Sequence, residues 1–240
     1  MIKIGILNLQ GAVSEHLDMT QKTIEKMNMN HEIKAEGVRY ADEVAQCNGI
    51  IISGGESTVI GKLIRERGID KVIKENQIPV FGTCAGMVIL SKKTDYDQDI
   101  LEIMDIEVKR NAFGRQKDSF ESEISILGDT FPGVFIRSPA VSKILVLSNE
   151  NSDYISNNNY NKNNNYNKDN NYNNKDNVSN YANNDNNKSN NNVEILSELD
   201  SNIIAVKQNN NIALSFHPEL TADTRLHEYF INEIIKLNLK

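Results

Sequence analysis

Cys84 is the residue of this sequence best suited to act as a nucleophile. It stands in the run Gly82-Thr-Cys-Ala-Gly86, where an apolar strand pattern over Ile78–Phe81 ends and a helical pattern begins. The dipole at the start of a helix favours a thiolate over a thiol. The same strand-to-helix turn carries the nucleophilic serine of α/β-hydrolases. The spacing therefore predicts an exposed, reactive cysteine on a sharp bend.

A thiolate nucleophile also needs a group that moves protons, and His217 fits this role. It ends the apolar strand pattern Ile212–Phe216, and Glu219 follows two residues later. A carboxylate in that place can fix the tautomer and orientation of the imidazole while the other ring nitrogen faces the thiol. The remaining histidines are weaker candidates, because none combines a turn with a neighbouring carboxylate: His16, His31 and His227.

A purely structural role is the alternative for both groups. Most free cysteines are small buried residues, and we expect this of Cys47, which lies in a helix-to-strand connection without a glycine turn. The glycines on both sides of Cys84 argue against a buried position there. The run His217-Pro-Glu219 could equally be a capping or surface turn with a solvated glutamate.

A glycine-rich turn, Gly54-Gly-Glu-Ser57, follows another apolar strand pattern. Two glycines let the backbone present N–H groups to a developing oxyanion, and the expected donors are the amides of Gly55 and Ala85. A phosphate-binding loop is the competing interpretation, because Gly61 and Lys62 follow. The spacing rules it out, since five residues rather than four separate Gly55 from Gly61, and a leucine follows the lysine.

Two arginines, Arg110 and Arg137, lie at the ends of strand patterns. A guanidinium is a planar, bidentate donor, so either residue could bind the carboxylate of a substrate. A surface position without a ligand is the alternative for each of them.

The first 95 residues alternate strand and helix patterns, and this order predicts an α/β protein. Strands that are apolar throughout and separated by helices imply a parallel sheet covered on both faces. The ligand site should then lie at the carboxyl ends of the strands, where both the glycine-rich turn and Cys84 fall. The second half of the sequence contains short strand patterns, which we expect to pair in mixed or antiparallel fashion. The pattern Ala222–Leu239 predicts a last helix. The earlier patterns are Ile2–Leu9, Glu32–Ala35, Asn48–Ser53 and Ile78–Phe81 for strands, and Ala12–Met29, Thr58–Arg67 and Ala85–Leu90 for helices.

The chain of 240 residues is long enough for a single domain with a well-buried core. The segment Asn157–Asn192 differs from the rest, because 21 of its 36 residues are asparagine. With almost no aliphatic side chains it cannot offset its own ordering entropy, so we predict an inserted, disordered surface loop. A partner-binding or aggregation-prone segment is the alternative.

The formal net charge of −7 argues against nucleic acid or an anionic membrane as the main partner, since both require a basic footprint. The two cysteines form neither a disulfide framework nor a zinc motif, which favours a reducing compartment. The sequence starts with a strand pattern rather than a leader, and no run approaches the roughly 20 apolar residues of a membrane span. We therefore expect a cytoplasmic protein.

Taken together, these runs resemble the class I (triad) glutamine amidotransferases, and among them the glutaminase subunits of pyridoxal 5'-phosphate synthase. The cysteine turn and the His-Pro-Glu run indicate the superfamily alone. The resemblance extends from residue 2 to about residue 235 outside the asparagine-rich segment. The more specific runs are Gly54-Gly-Glu-Ser-Thr58, Arg110-Asn-Ala-Phe-Gly-Arg-Gln116 and His217-Pro-Glu-Leu-Thr221, and Gly5-Ile-Leu-Asn-Leu-Gln-Gly-Ala12 and Phe135-Ile-Arg-Ser-Pro139 also match.

The resemblance implies a three-layer α/β/α, flavodoxin-like amidotransferase domain with a mixed sheet over residues 1–240. It further implies hydrolysis of L-glutamine to glutamate and ammonia, with the ammonia channelled to a (β/α)8-barrel synthase subunit in a large hetero-oligomer that makes vitamin B6. By matching position, Cys84 is the nucleophile, His217 the base and acid, and Glu219 its orienter. Gln10 and Gly11 are expected near the oxyanion loop. The residues expected to contact glutamine are Gly55, Glu56, Ser57, Arg110, Ile136 and Arg137.

This chemistry requires neither a metal ion nor an organic cofactor. Two other functions stay open: a glutaminase that serves another acceptor synthase, and a catalytically silent interaction subunit, since a fold alone does not guarantee activity. We also expect the isolated chain to be nearly inactive, because the loop Gly54–Glu56 would be set only when the partner docks.

Overall fold

A mixed β-sheet between two layers of helices forms the core of the protein. The structure is a computed structural model, and it describes residues 1–113, 119–145 and 193–239. The segment Asn157–Asn192, predicted above to be a disordered loop, lies outside the described residues, as does part of the Arg110–Gln116 run.

The described residues contain twelve strands and six α-helices. The strands are β1 (Ile2–Leu7), β2 (Ile33–Val38), β3 (Gly49–Ile52), β4 (Val80–Thr83), β5 (Ser91–Thr94), β6 (Met104–Lys109), β7 (Ser119–Ile126), β8 (Asp129–Ile136), β9 (Ala140–Ile144), β10 (Glu194–Leu199), β11 (Asn202–Gln208) and β12 (Asn211–Leu214). The helices are α1 (Val13–Lys26), α2 (Ala41–Val44), α3 (Ser57–Glu66), α4 (Ile69–Glu75), α5 (Ala85–Leu90) and α6 (Arg225–Asn238).

Ten of these strands form one sheet in the order β2-β1-β3-β4-β12-β11-β9-β6-β5, with β10 paired to β11. The strands from β2 to β12 are mutually parallel. Beyond β12 the strand pairs β12–β11, β11–β10, β11–β9 and β9–β6 are antiparallel. The last pair, β6–β5, is parallel. The predicted combination of a parallel half and a mixed half is therefore confirmed.

Both faces of the parallel half are buried, and β3 illustrates why its sequence is uniformly apolar. Ile51 packs into the hydrophobic core beneath α1 and α6, whereas Ile50 and Ile52 pack into the core beneath α3, α4 and α5. Successive side chains of a strand point to opposite faces. A strand covered on both sides therefore has no polar position, and the predicted three layers follow.

The two helical layers bury one apolar stripe per helix. On one side α1 and α6 contribute Ile24, Phe230 and Ile234, and on the other α3 and α4 contribute residues such as Ile60 and Ile73. The longest described helices, α1 and α6, have 14 residues each, and no described helix is long and apolar enough to cross a membrane.

The antiparallel hairpin β7–β8 lies outside the main sheet on the side of α1 and α6. Phe135 stacks on Phe120 at 4.7 Å between ring centroids, and it also contacts Phe216, which follows β12. The backbone N–H of His217 donates to the carbonyl of Val134 at 2.8 Å. The hairpin is thus fixed beside the carboxyl end of β12, where it closes one side of the cleft described below.

Candidate active site

A cavity of about 500 Å³ lies at the carboxyl ends of β3, β4 and β12. This is where ligand sites of parallel sheets are expected. Nine of the sequence-predicted site residues line it: Gly55, Glu56, Ser57, Cys84, Ala85, Arg110, Ile136, Arg137 and His217. Seven further residues complete the lining: Gln10, Gly11, Ala12, Gly54, Val88, Asn111 and Pro139. The topology therefore gathers distant parts of the sequence into one site.

Cys84 sits on a sharp turn between β4 and α5. Its backbone has φ +49° and ψ −103°, a strained combination for a residue with a side chain. A hydrogen bond from its N–H to the carbonyl of Leu214 at 2.8 Å holds this turn against the end of β12. The sulfur lies 3.8 Å from the carbonyl oxygen of Ile136 and is partly exposed to the cavity. The predicted sharp turn at Cys84 is observed, and the side chain is partly rather than fully exposed.

The glycines beside Cys84 are required because α5 lies directly against the sheet. A Cβ on Gly86 would come within 2.3 Å of the carbonyl oxygen of Ile52. A Cβ on Gly82 would come within 2.7 Å of the backbone of Gly86. Only glycine at these positions lets the start of α5, and hence its dipole, approach the ends of β3 and β4.

His217 and Glu219 form a hydrogen-bonded pair next to Cys84. Nδ1 of His217 lies 2.7 Å from Oε1 of Glu219, and both side chains are buried. Burial acts to lower the pKa of His217, but its hydrogen bonds with the Cys84 side chain and with Glu219 outweigh this and raise the pKa to about 10. The imidazole is therefore held in its protonated form at neutral pH, with the carboxylate on one nitrogen and the sulfur on the other side.

The side chains of His16 and Thr83 lie next to the His217–Glu219 pair, and no sequence pattern predicted their contacts. Nε2 of His16, on α1, lies 3.2 Å from Oε2 of Glu219 and 2.9 Å from Oγ1 of Thr83. The sequence makes His16 a weak candidate, because it lacks the combination of a turn and a neighbouring carboxylate that His217 has. Its neighbourhood with Glu219 depends on how α1 packs on the sheet, and sequence spacing does not reveal that.

The loop Gly54–Glu56 is held by the segment Gln10–Ala12 and by Thr83. The N–H of Ala12 donates to the carbonyl of Gly54 at 3.1 Å, and the N–H of Glu56 donates to Oε1 of Gln10 at 2.8 Å. The N–H of Gly54 donates to Oγ1 of Thr83 at 3.2 Å. The expected proximity of Gln10 and Gly11 to this loop is therefore observed.

Replacing Gly54 by alanine is expected to reduce turnover about a hundredfold while leaving the protein folded. The new Cβ would lie 2.3 Å from Cε1 of His217 and 3.3 Å from Cβ of Cys84, so the imidazole must move. A displacement of about 1 Å in a reacting group costs on the order of a hundredfold in rate. Glutamate release from glutamine, the reaction that the resemblance implies, measures the loss, and thermal unfolding checks folding.

Gly37→Ala is the matched control, because its Cβ would meet only Asn8 at an ordinary 3.4 Å. This variant should keep the parental rate. If Gly54→Ala were as active as Gly37→Ala, the prediction that turnover depends on the close packing of Gly54 against His217 and Cys84 would be wrong.

Some of the side chains predicted to bind glutamine already contact other residues of the protein. Nε of Arg110 lies 3.2 Å from Oδ1 of Asp95, and the guanidinium lies 4.3 Å above the ring of Tyr96. Arg137 is exposed at the rim of the cavity. The hydroxyl of Ser57 donates to Oε1 of Gln98 at 3.0 Å, so its proton is already engaged within the protein.

Cys47 is a buried cysteine without access to this cavity. Burial raises the pKa of its thiol to about 11, which keeps it protonated and unreactive at neutral pH. The expected buried position of Cys47 is therefore observed, in contrast to the partly exposed turn that carries Cys84.

Comparison with known proteins agrees with this architecture. The profile of the SNO glutamine amidotransferase family matches residues 6–172 and 181–236. Over 235 residues, 98% of both chains, the sequence is 57% identical to pyridoxal 5'-phosphate synthase subunit PdxT of Methanobrevibacter smithii. Its identity to the same subunit of Methanothermobacter thermautotrophicus is 48% over 235 residues, again 98% of each chain.

A solved structure gives the same result for the fold. The crystal structure of a glutamine amidotransferase superposes with a TM-score of 0.69 at 32% identity, over 96% of this chain and 98% of that one. The three-layer α/β/α fold expected for class I glutamine amidotransferases is thereby confirmed. Since the family profile spans most of the sequence and the relatives span nearly all of it, the chain belongs to the SNO glutamine amidotransferase family.

Proposed function

We propose that Cys84, His217 and Glu219 act as a catalytic triad that hydrolyses L-glutamine. The chain is a glutaminase that supplies ammonia for vitamin B6 synthesis, as its family and its 57% identity to a PdxT subunit indicate. The observation that carries the triad is the 2.7 Å contact between His217 and Glu219 beside the cavity that holds Cys84.

In the first half-reaction the sulfur of Cys84 attacks the side-chain amide carbon of glutamine. The electron pair of the carbonyl moves to its oxygen, which the N–H groups of Gly55 and Ala85 stabilise. Ala85 begins α5, so its N–H has no acceptor within the helix. The carbon–nitrogen bond then breaks, and His217 donates its proton to the departing nitrogen, which leaves as ammonia.

In the second half-reaction a water molecule attacks the thioester. His217, now neutral, takes a proton from this water, and collapse of the intermediate releases glutamate and the Cys84 thiolate. Glu219 keeps the Nδ1 nitrogen of His217 protonated, so that Nε2 serves as the exchanging atom in both steps.

Residues at the rim of the cavity would bind glutamine. Arg110 and Arg137 can bind the α-carboxylate, since each is a permanently charged planar donor. The backbone around Gly55, Glu56 and Ser57, together with Ile136, would border the side chain of the substrate. This assignment places the amide of glutamine towards Cys84 and its charged end towards solvent.

The partner is a synthase subunit that consumes the ammonia, and we propose that it is a (β/α)8 barrel in a large hetero-oligomer. Docking beside Gln10 would bear directly on the oxyanion loop, because this side chain binds the N–H of Glu56. We further propose a cytoplasmic location, where both unpaired cysteines would stay reduced.

The decisive experiment measures ammonia release from glutamine by the chain alone and by the chain with the synthase subunit. We expect strong stimulation by the synthase and formation of pyridoxal 5'-phosphate with glutamine as the sole nitrogen source. Equal hydrolysis with and without the synthase would point to another acceptor. Absence of hydrolysis in both cases would point to a silent interaction subunit.

A further inference from the structure

Two fully buried histidines lie behind Glu219, on the side away from the cavity. His16 comes from α1 and His227 from α6, and neither side chain has any exposed surface. Nδ1 of His16 lies 3.0 Å from Nε2 of His227. Because Nε2 of His16 contacts both Glu219 and Thr83, the two rings connect α6 to the catalytic group.

Both imidazoles are neutral at physiological pH. The ring of His227 packs edge-on against Phe81 at 5.3 Å between centroids, and its burial lowers the pKa to about 3. Burial, followed by the repulsion of His227 and His217, holds the pKa of His16 well below its ordinary value. Each ring therefore carries one proton, and the position of that proton decides which nitrogen donates.

The contacts select one arrangement of these two protons. Nδ1 of His227 is buried and has no hydrogen-bond partner among the described residues. A proton there would be an unsatisfied buried donor, which is more costly than a bare nitrogen. The proton of His227 therefore lies on Nε2 and is donated to Nδ1 of His16.

The proton of His16 must then lie on Nε2. From there it faces two oxygens, Oγ1 of Thr83 at 2.9 Å, which is the better aligned acceptor, and Oε2 of Glu219 at 3.2 Å. In the opposite tautomer a bare nitrogen would face the carboxylate oxygen, and the two would repel. Oε1 of Glu219 is hydrogen-bonded to His217, whereas the buried Oε2 has no hydrogen-bond partner among the described residues and has the N–H of His16 beside it at 3.2 Å.

We propose that His16 is a positioning residue for glutamine hydrolysis, with its tautomer fixed by His227. Its Nε2–H lies 3.2 Å from Oε2 of Glu219, which is otherwise unpartnered in the described part of the chain, and favours the negative charge there. Through Thr83, which also binds the N–H of Gly54, His16 holds the oxyanion loop. One neutral imidazole thereby sets the mutual position of the acid–base pair and the oxyanion donors. The inference rests on the triad proposed above.

Nitrogen NMR of the histidine rings in the full-length chain tests the tautomers directly. We expect His16 and His227 both to carry the proton on Nε2 and to show no titration across the neutral range. The variant His227→Phe should let a fraction of His16 adopt the Nδ1–H form, because its fixing donor is gone. A wild-type His16 that is protonated on Nδ1, or that titrates near its ordinary pKa, would overturn the inference.

Turnover of the complex with the synthase subunit tests the consequence. His16→Leu removes the N–H that faces Oε2 of Glu219 and binds Thr83, and should lower kcat roughly ten- to a hundredfold with little change in KM. His16→Gln, whose amide nitrogen can occupy the place of Nε2, should recover most of the rate. The control Ile24→Ala, a buried deletion on the same helix, should lower the melting temperature and leave kcat unchanged.

The outcomes separate this inference from the triad itself. If Glu219→Gln abolishes turnover while His16→Leu retains it, the triad stands and the positioning role is refuted. If Glu219→Gln keeps full turnover, the triad is wrong and this inference falls with it. Should His16→Leu fail to fold, the NMR measurement of the His16 and His227 tautomers in the wild-type chain still tests the positioning role.

Discussion

The variant Cys84→Ala is expected to lose glutamine hydrolysis by at least about a thousandfold, because removal of a nucleophile from a triad eliminates the covalent route altogether. Alanine keeps the backbone of the turn and deletes a single sulfur, so the cavity and the oxyanion donors stay in place. Binding of glutamine should persist, since no predicted glutamine contact is removed. The measurement is glutamate release in the complex with the synthase subunit, together with equilibrium binding of glutamine.

The chain supplies a matched control for this experiment. Cys47→Ala also deletes one sulfur, yet that sulfur is buried and far from the reaction, so turnover should be unchanged. Alkylation of thiols gives a further check, because it should inactivate both the parent and Cys47→Ala. Full activity of Cys84→Ala would remove the nucleophile assignment and revive a silent or differently acting subunit.

The second large effect is expected for Glu219→Gln, which should lower kcat about a thousand- to ten-thousandfold. Glutamine keeps the shape of the side chain but can present an amide N–H to Nδ1 of His217, which then takes the wrong tautomer. The carboxylate also helps to raise the pKa of His217 to about 10, so the variant should show a lower pKa for this ring. Ring NMR as a function of pH measures the change.

The raised pKa of His217 makes the free energy of unfolding depend on pH. A histidine whose pKa is raised from 6.5 to about 10 on folding contributes stability that is fully present below pH 6.5 and is lost as the pH rises through about 10. In Glu219→Gln this loss should be smaller and should end at a lower pH. Urea unfolding of both proteins from neutral to alkaline pH measures the difference in slope.

Glu75→Gln serves as the control, because Glu75 is an exposed glutamate at the end of α4. It should alter neither the kcat nor the alkaline slope of the unfolding free energy. An unchanged pKa of His217 in Glu219→Gln would contradict the role assigned to this carboxylate, whatever the effect on rate.

The elements that sequence patterns predicted well are those whose local pattern and tertiary burial agree. The uniformly apolar β3 and the helix α5, predicted over Ala85–Leu90, were identified correctly. Three elements were not predicted: α2, α4 and β5. The strand β5 reads Ser-Lys-Lys-Thr and, within the described residues, pairs with β6 alone, so its backbone partner rather than its side chains makes it a strand.

The same division holds at the site. The turn around Cys84 and the pair His217 and Glu219 are local arrangements, since glycine spacing and a two-residue separation already fix which groups face one another. The prediction that Cys84 and His217 lie close together depends on β4 and β12 ending at the same edge of the sheet. These two strands pair in parallel, so this condition is met.

The sequence by itself therefore determined the α/β class and predicted the candidate nucleophile, its proton shuttle and the glycine-rich oxyanion loop, because each is encoded over a few neighbouring residues. Only the tertiary structure decided that His16 and His227 stand behind Glu219, that Thr83 connects this group to Gly54, and that Gly54 touches the imidazole. The physical reason is that these contacts form between helices and strands distant in the chain. Their geometry follows from how the layers pack, and no local pattern records it.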